Sequence, residues 1–211
     1  MKTKPINLKR ITVSNLEKDK FINELPEIYR LKNNLENNPW HKNQSTFNHT
    51  ILVLKALKKN IRKYKNLQKY LKQIVNKHSR QNILFLATIF HDIAKPETKT
   101  ITKEGWTMFP NHEDKSATKT MKILQKCDIT RKEICRMGNI IKHHDALHLF
   151  LNGTRADRDL EKLQKEFKDI YLELLLLSKS DTEGSNLRDL NSQDFKRRVS
   201  FFEKELMKFK I

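Results

Sequence analysis

At 211 residues, with 4 Gly and 5 Pro to interrupt it, the chain is sized for one well-cored domain. No stretch approaches the ~18 consecutive apolar residues of a membrane span, and Met1 to Arg10 lacks an apolar signal core, so neither insertion nor export is indicated and the cytosol is expected. The formal charge of +18 is uneven: Asn37 to His91 contains no Asp or Glu, while Lys58, Lys59, Arg62, Lys63, Lys65, Lys69 and Lys72 fall there. Such a block attracts nucleic acid or a phosphorylated ligand, unless it reflects only a lysine-rich compositional bias.

Residues 1–24 read as a basic arm in which Ser14-Asn15-Leu16-Glu17 has the reciprocal capping spacing of a helix start. Leu25 to Leu31 reads as a short helix with Pro26 in its first turn, and Asn37 to His41 as a loop. The clearest helix runs from about Ser45 to Lys63, with Phe47, Ile51, Leu54, Leu57 and Ile61 on one face and His49 near its start. A second amphipathic helix is expected around Leu67, Tyr70, Leu71, Ile74 and Val75. The run Ile83 to Phe90 is apolar on every face and so is buried, yet it ends in His91-Asp92. Burying those groups is costly unless something pairs with them.

After Pro96, the β-branched stretch Thr98 to Thr102 and Trp106 to Phe109, joined by Gly105, reads as a small hairpin or flap. Asn111 is expected to cap a helix that places His112 at its start, with Glu113 and Asp114 where the helix dipole favours acids. Thr130 and Glu133 form a capping box for the next helix, whose stripe Ile134, Met137, Ile141 continues to His144. Gly153-Thr154 precedes a charged helix from about Arg155 to Lys168. Ile170, Leu174, Leu177 and Asp181 share one face of the helix that follows, which Gly184 ends. Residues 191–211 form a last amphipathic helix over the outside of a domain spanning 25–190. Cys127 and Cys135 lack a CxxC spacing or further partners, which argues against a disulfide framework or a zinc ribbon. The fold class is all-α, a helical bundle with one small flap.

His49, His91, Asp92, His112, His144 and Asp181 each stand near the start, end or inner face of an apolar helix. A mixed imidazole and carboxylate set suits manganese, iron, nickel, cobalt or zinc better than magnesium, and six ligands can house one or two divalent ions with Asp92 as a bridge. His143 lies about 100° around the helix from the inward stripe, so His144 is the preferred ligand and His143 a substrate contact. His41 and His148 are placed at the pocket rim, and His78 in solvent.

The order of these residues resembles the HD superfamily of metal-dependent phosphohydrolases, an all-α fold. The resemblance covers Leu25 to Gly184 and is carried by Leu-Pro-Glu at 25 to 27, Phe-Asn-His-Thr at 47 to 50, His-Asp-Ile-Ala-Lys-Pro-Glu-Thr at 91 to 98, Phe-Pro-Asn-His-Glu at 109 to 113, Ile-Ile-Lys-His-His at 140 to 144, and Lys-Ser-Asp at 179 to 181. It is nearest to the HD domain appended to bacterial tRNA nucleotidyltransferases and poly(A) polymerases. Their nucleotidyltransferase half is not in this sequence, so a stand-alone version without tailing activity is expected. The resemblance implies a first metal on His49, His91, Asp92 and Asp181, and a second on His112 and His144 with Asp92 shared.

Such cations lower the pKa of bound water to yield hydroxide and neutralise phosphoryl oxygens. Lys95 is expected to bind a phosphate oxygen as a point charge, or to serve only as a helix-end cation. Trp40 or Trp106 is a candidate base-stacking ring. The implied function is phosphodiester hydrolysis of nucleotides, 2′,3′-cyclic phosphates or RNA ends, with a phosphomonoesterase as a variant. The competing reading is a non-catalytic module that binds RNA or a signalling nucleotide through its basic face.

Overall fold

The computed structural model describes residues 6–125, 127–153 and 160–209. In chain order the helices are α1 (Val13–Glu17), α2 (Pro26–Arg30), α3 (Thr46–Lys63), α4 (Gln68–Leu71), α5 (Arg80–Phe90), α6 (Lys95–Thr98), α7 (His112–Leu124), α8 (Arg131–Lys142), α9 (Ala146–Leu151), α10 (Leu160–Glu166), α11 (Tyr171–Gly184), α12 (Leu187–Leu190) and α13 (Ser192–Lys208). Two antiparallel hairpins interrupt them: β1 (Leu35–Asn38) with β2 (His41–Ser45), and β3 (Thr100–Ile101) with β4 (Thr107–Met108). The fold is the expected helical bundle. Among the described residues no helix is long and apolar enough to cross a membrane.

α3 is the spine. Ser45 caps it by accepting the Asn48 amide at 3.2 Å, and its stripe of Phe47, Ile51, Leu54, Leu57 and Ile61 is buried. α11 lies along it and is buried on nearly every face, not on one, so the single apolar stripe expected for it understates its position. Gly184 lets the two backbones meet: a Cβ there would stand 2.7 Å from the Val53 amide nitrogen. That close approach holds Asp181 against His49. α5 packs on α3 and α8, α7 on α8, and α13 on α11. The described part of the N-terminal stretch joins the same core through Leu8, Ile11, Val13, Leu16 and Phe21.

Several local expectations are corrected. α1 is capped by Thr12, whose hydroxyl accepts from Asn15, and not by Ser14. Residues 37–41 do not form a loop but carry the turn of the β1–β2 hairpin, with Asn38 opposite His41; its strands are polar and lack the alternation that marks a half-buried strand. The expected second amphipathic helix shrinks to a 3-10 turn (Lys65–Leu67) and α4, leaving Ile74 exposed. Asn111 makes no capping hydrogen bond; it takes a left-handed φ of +56°, which Asn tolerates better than most residues. The expected helix start at Arg155 lies outside the described residues, and α10 is helical from Leu160. The flap after Pro96 and the Thr130–Glu133 capping box are both present.

Candidate metal centre

The packing of α3, α5, α7, α8 and α11 brings the six ligand candidates to one buried point. His49 lies in the first turn of α3, His91 and Asp92 directly follow α5, His112 opens α7, His144 follows α8, and Asp181 is in the last turn of α11. Asp92 is central. Its Oδ2 is 3.1 Å from His91 Nε2 and 3.7 Å from His49 Nε2, while its Oδ1 is 3.3 Å from His112 Nε2 and 3.7 Å from His144 Nε2. Asp181 Oδ1 is 2.8 Å from His49 Nε2 and 3.6 Å from His91 Nε2.

The far side of each ring explains what these contacts mean. Nδ1 of His49, His91, His112 and His144 meets the main-chain carbonyl of Gly184 (3.3 Å), Thr88 (2.8 Å), Phe109 (2.9 Å) and Ile141 (2.7 Å), respectively. A neutral imidazole has one N–H. Donated to the carbonyl, it leaves Nε2 as a lone pair aimed at carboxylate lone pairs. His91 Nε2 and both oxygens of Asp92 are buried and accept no aligned hydrogen bond. Acceptors that face acceptors in a buried site call for a cation, either a proton on Nε2 or a metal ion in its place, and Nδ1–H held by an outer carbonyl is how metal-binding histidines are oriented. The donor set fits two ions, one on His49, His91 and Asp92 with Asp181 adjoining, the other on Asp92, His112 and His144.

The electrostatics carry the same imbalance. Burial opposes charge on Asp92, but His91 and Lys95 hold it well below the usual carboxylate range. Burial likewise opposes ionisation of Asp181, and contacts from His148, His49 and His91 hold it well below that range. Burial disfavours the His91 imidazolium, yet Asp92 and Asp181 lift it to about 10. The carboxylates thus attract whatever positive charge is at hand.

Lys95 reaches the site through a break in the helix. α5 stops at Phe90, a turn follows, and Lys95 opens α6 instead of continuing one helix. Its ammonium donates to Glu36 Oε2 at 2.9 Å and meets Asp92 Oδ2 at 2.9 Å as a charge contact. Glu36, fully buried on β1, also accepts from the Thr46 hydroxyl at 2.6 Å. A cavity of about 310 Å³ opens on the cluster and is lined by Trp40, His41, Phe109, Asp145, His148 and Asn152, among others. His41 is buried in its wall, pushed down to about 4 by burial and the adjacent His49, and its Nδ1 meets Gln44 Oε1 at 2.6 Å.

The structure does not bring every candidate here. His143 caps α8 on another side and lines a separate cavity, its ring 4.9 Å from that of Phe167, away from the cavity that opens on the cluster. Trp106 is exposed on the flap outside the pocket. His78 is half-buried beside Glu133 instead of solvated. Conversely, His148 goes deeper than a rim, with Nε2 3.2 Å from Asp181 Oδ2. Two residues that sequence reading missed, Glu36 and Asp145, also face the cluster. Neither lies on an apolar stripe; only their proximity to His41 and to His144 marks them.

A family model described as HD domain matches residues 46–181, a span that contains all six ligand candidates. No curated protein matches the chain.

Proposed function

The chain belongs to the HD-domain family, and from that premise we propose that it is a divalent-metal-dependent phosphohydrolase, most specifically a phosphodiesterase of nucleotides, 2′,3′-cyclic phosphates or RNA ends. One observation carries the reading: four Nε2 atoms, fixed by main-chain carbonyls, face carboxylate oxygens buried at the base of an open cavity. His49, His91, Asp92 and Asp181 would hold one ion, and Asp92, His112 and His144 a second. The imidazole content favours manganese, iron, nickel or cobalt over magnesium.

Bound ions supply Lewis-acid polarisation of a phosphoryl oxygen and activation of water. The residues of the chain do the rest. Lys95, fixed between Glu36 and Asp92, presents a permanent cation to a phosphate oxygen; Asp92 and Glu36 keep its pKa raised against burial. Trp40, backed by the Arg198 guanidinium 4.5 Å from its ring centre, offers a stacking surface for a base in the cavity wall. His41 borders the same space. The likeness to HD domains of tRNA nucleotidyltransferases favours 2′,3′-cyclic phosphates, and a cytosolic location goes with such substrates.

A second reading, RNA binding without catalysis, draws on the exposed Lys58, Lys59, Arg62, Lys65, Lys69 and Lys72. One assay separates the two. Hydrolysis of bis(p-nitrophenyl) phosphate and 2′,3′-cyclic AMP is scanned over manganese, nickel, cobalt and magnesium with wild type and Asp92→Ala. Metal-dependent turnover that is lost in the variant supports the enzyme. No turnover by either protein, with equal and salt-sensitive RNA binding by both, supports the binding module.

A further inference from the structure

The turn after α8 carries a carboxylate with no structural employment. Asp145 occupies the position before α9, where an aspartate ordinarily accepts a helix amide, yet it makes no capping hydrogen bond. Its carboxylate is turned the other way. Oδ1 is 3.5 Å from His144 Nε2 and Oδ2 is 3.8 Å from His112 Nε2. Both rings have already committed Nδ1 to the carbonyls of Phe109 and Ile141. Facing the same point is Asp92 Oδ1, 1% exposed as a residue and without a hydrogen-bond partner.

We propose that Asp145 is a metal ligand that completes the second cation site with Asp92, His112 and His144. The assignment rests on the metal reading of the cluster and extends it. Ligand atoms about 2.1 Å from a shared ion stand roughly 3.0 to 3.4 Å apart in octahedral or tetrahedral arrangements. Asp145 turns a different oxygen to each ring, Oδ2 3.8 Å from His112 Nε2 and Oδ1 3.5 Å from His144 Nε2, while Asp92 Oδ1 stands 3.3 and 3.7 Å from the same two nitrogens, so a rotation of the Asp145 carboxylate would bring one or both of its oxygens onto an ion held by the other three.

Charge points the same way. Without Asp145 the second site would hold a dication on two neutral imidazoles and one oxygen of a carboxylate shared with the first. Two dications bring four positive charges into a buried space where Asp92 and Asp181 offset two. Asp145 offsets a third, which leaves the centre singly positive toward an anionic phosphoester and lowers the cost of burying the ions. Asp145 also lines the cavity, so an ion held by it is open to substrate. His112 is anchored for the role, because its Nδ1 lies within 3.3 Å of Glu113 Oε2 as well as 2.9 Å from the Phe109 carbonyl.

The test measures metal content and affinity, not turnover. Metal-stripped wild type, Asp145→Asn, Asp145→Glu and Asp92→Asn are titrated with manganese by calorimetry, and the stoichiometry is read again by elemental analysis. Circular dichroism checks the fold of each. Wild type is expected to bind two ions per chain. Asp145→Asn should keep the first with an affinity within threefold and lose at least tenfold at the second. Asp145→Glu, which keeps a carboxylate, should hold two, and Asp92→Asn should weaken both. Two ions bound by Asp145→Asn with wild-type affinities, or a single ion bound by wild type, would overturn the assignment while leaving the metal reading in place. Wild type that binds no ion would take down the metal reading and the assignment together.

Discussion

Glu133 and Asp92 are both carboxylates shut away from solvent, and their surroundings could hardly differ more. Glu133 Oε1 accepts the Lys77 and His78 amides, and Oε2 accepts the Thr130 amide at 3.0 Å and its hydroxyl at 2.9 Å. Asp92 has four imidazoles and an ammonium around it but no aligned donor to either oxygen. One region is saturated and the other frustrated. Saturation makes the Glu133 corner architectural: it pins the turn before α5 to the start of α8. Frustration in a packed interior is expensive, and a bound cation would resolve it at Asp92. Burial alone therefore says little about role, whereas the hydrogen-bond accounting of each buried oxygen says a great deal.

The largest effect should come from the frustrated side. Asp92→Asn is expected to lower metal-dependent phosphodiester hydrolysis by about 1,000-fold, in keeping with the several kcal/mol that metal assistance supplies, as measured by steady-state kinetics. Glu133→Ala should show the reverse. It strands buried amides at about 1–3 kcal/mol each and removes half of a capping box, so urea denaturation should report a loss of roughly 3 kcal/mol, while turnover per folded molecule stays within twofold.

Adjacent histidines divide along the same line. His144→Ala should weaken metal affinity about 10- to 100-fold, and His143→Ala, on the Phe167 side, should leave it unchanged; calorimetric titration reads both. The smallest effect is the pH dependence of stability at the saturated corner. Burial raises the Glu133 pKa, but the amides of Thr130, His78 and Lys77 bring it to about 2 from an ordinary 4.5. Because the folded value is the lower one, the ionised group stabilises the fold fully above about 4.5, and this contribution fades as pH falls toward 2. Wild-type stability should fall more steeply than that of Glu133→Gln between pH 4.5 and 2.5, as followed by chemical denaturation.

Much of both regions was legible before any coordinates. Ser45 and Thr130 announce their helices through capping chemistry, and the apolar faces of α3, α5 and α8 lead by helical spacing to His49, His91 and His144. Those signals are local, which is why they survive in a bare sequence. Glu36 and Asp145 were not legible. Glu36 sits on a polar strand whose pairing with β2 is set by a turn at Pro39-Trp40, and nothing in its neighbours marks it as buried. Asp145 follows the end of α8, where the helical angle that separates His143 from His144 no longer governs direction, so a turn decides that it faces the cluster. Lys95 comes to Asp92 through a turn and a new helix, since α5 stops at Phe90, and no helical spacing from the apolar run foretells that. Asn111 shows the same limit: its side chain suits a cap, but its backbone is used for a left-handed turn.

The most direct test of the central claim, that the frustration around Asp92 exists to bind catalytic divalent ions, is metal add-back. The protein is stripped with a chelator and assayed on 2′,3′-cyclic AMP and bis(p-nitrophenyl) phosphate, with and without restored manganese, beside Asp92→Asn treated identically. The account predicts hydrolysis that disappears on stripping, returns with manganese in wild type, and does not return in the variant. Hydrolysis that persists in the stripped protein, or that manganese restores equally in Asp92→Asn, would contradict it.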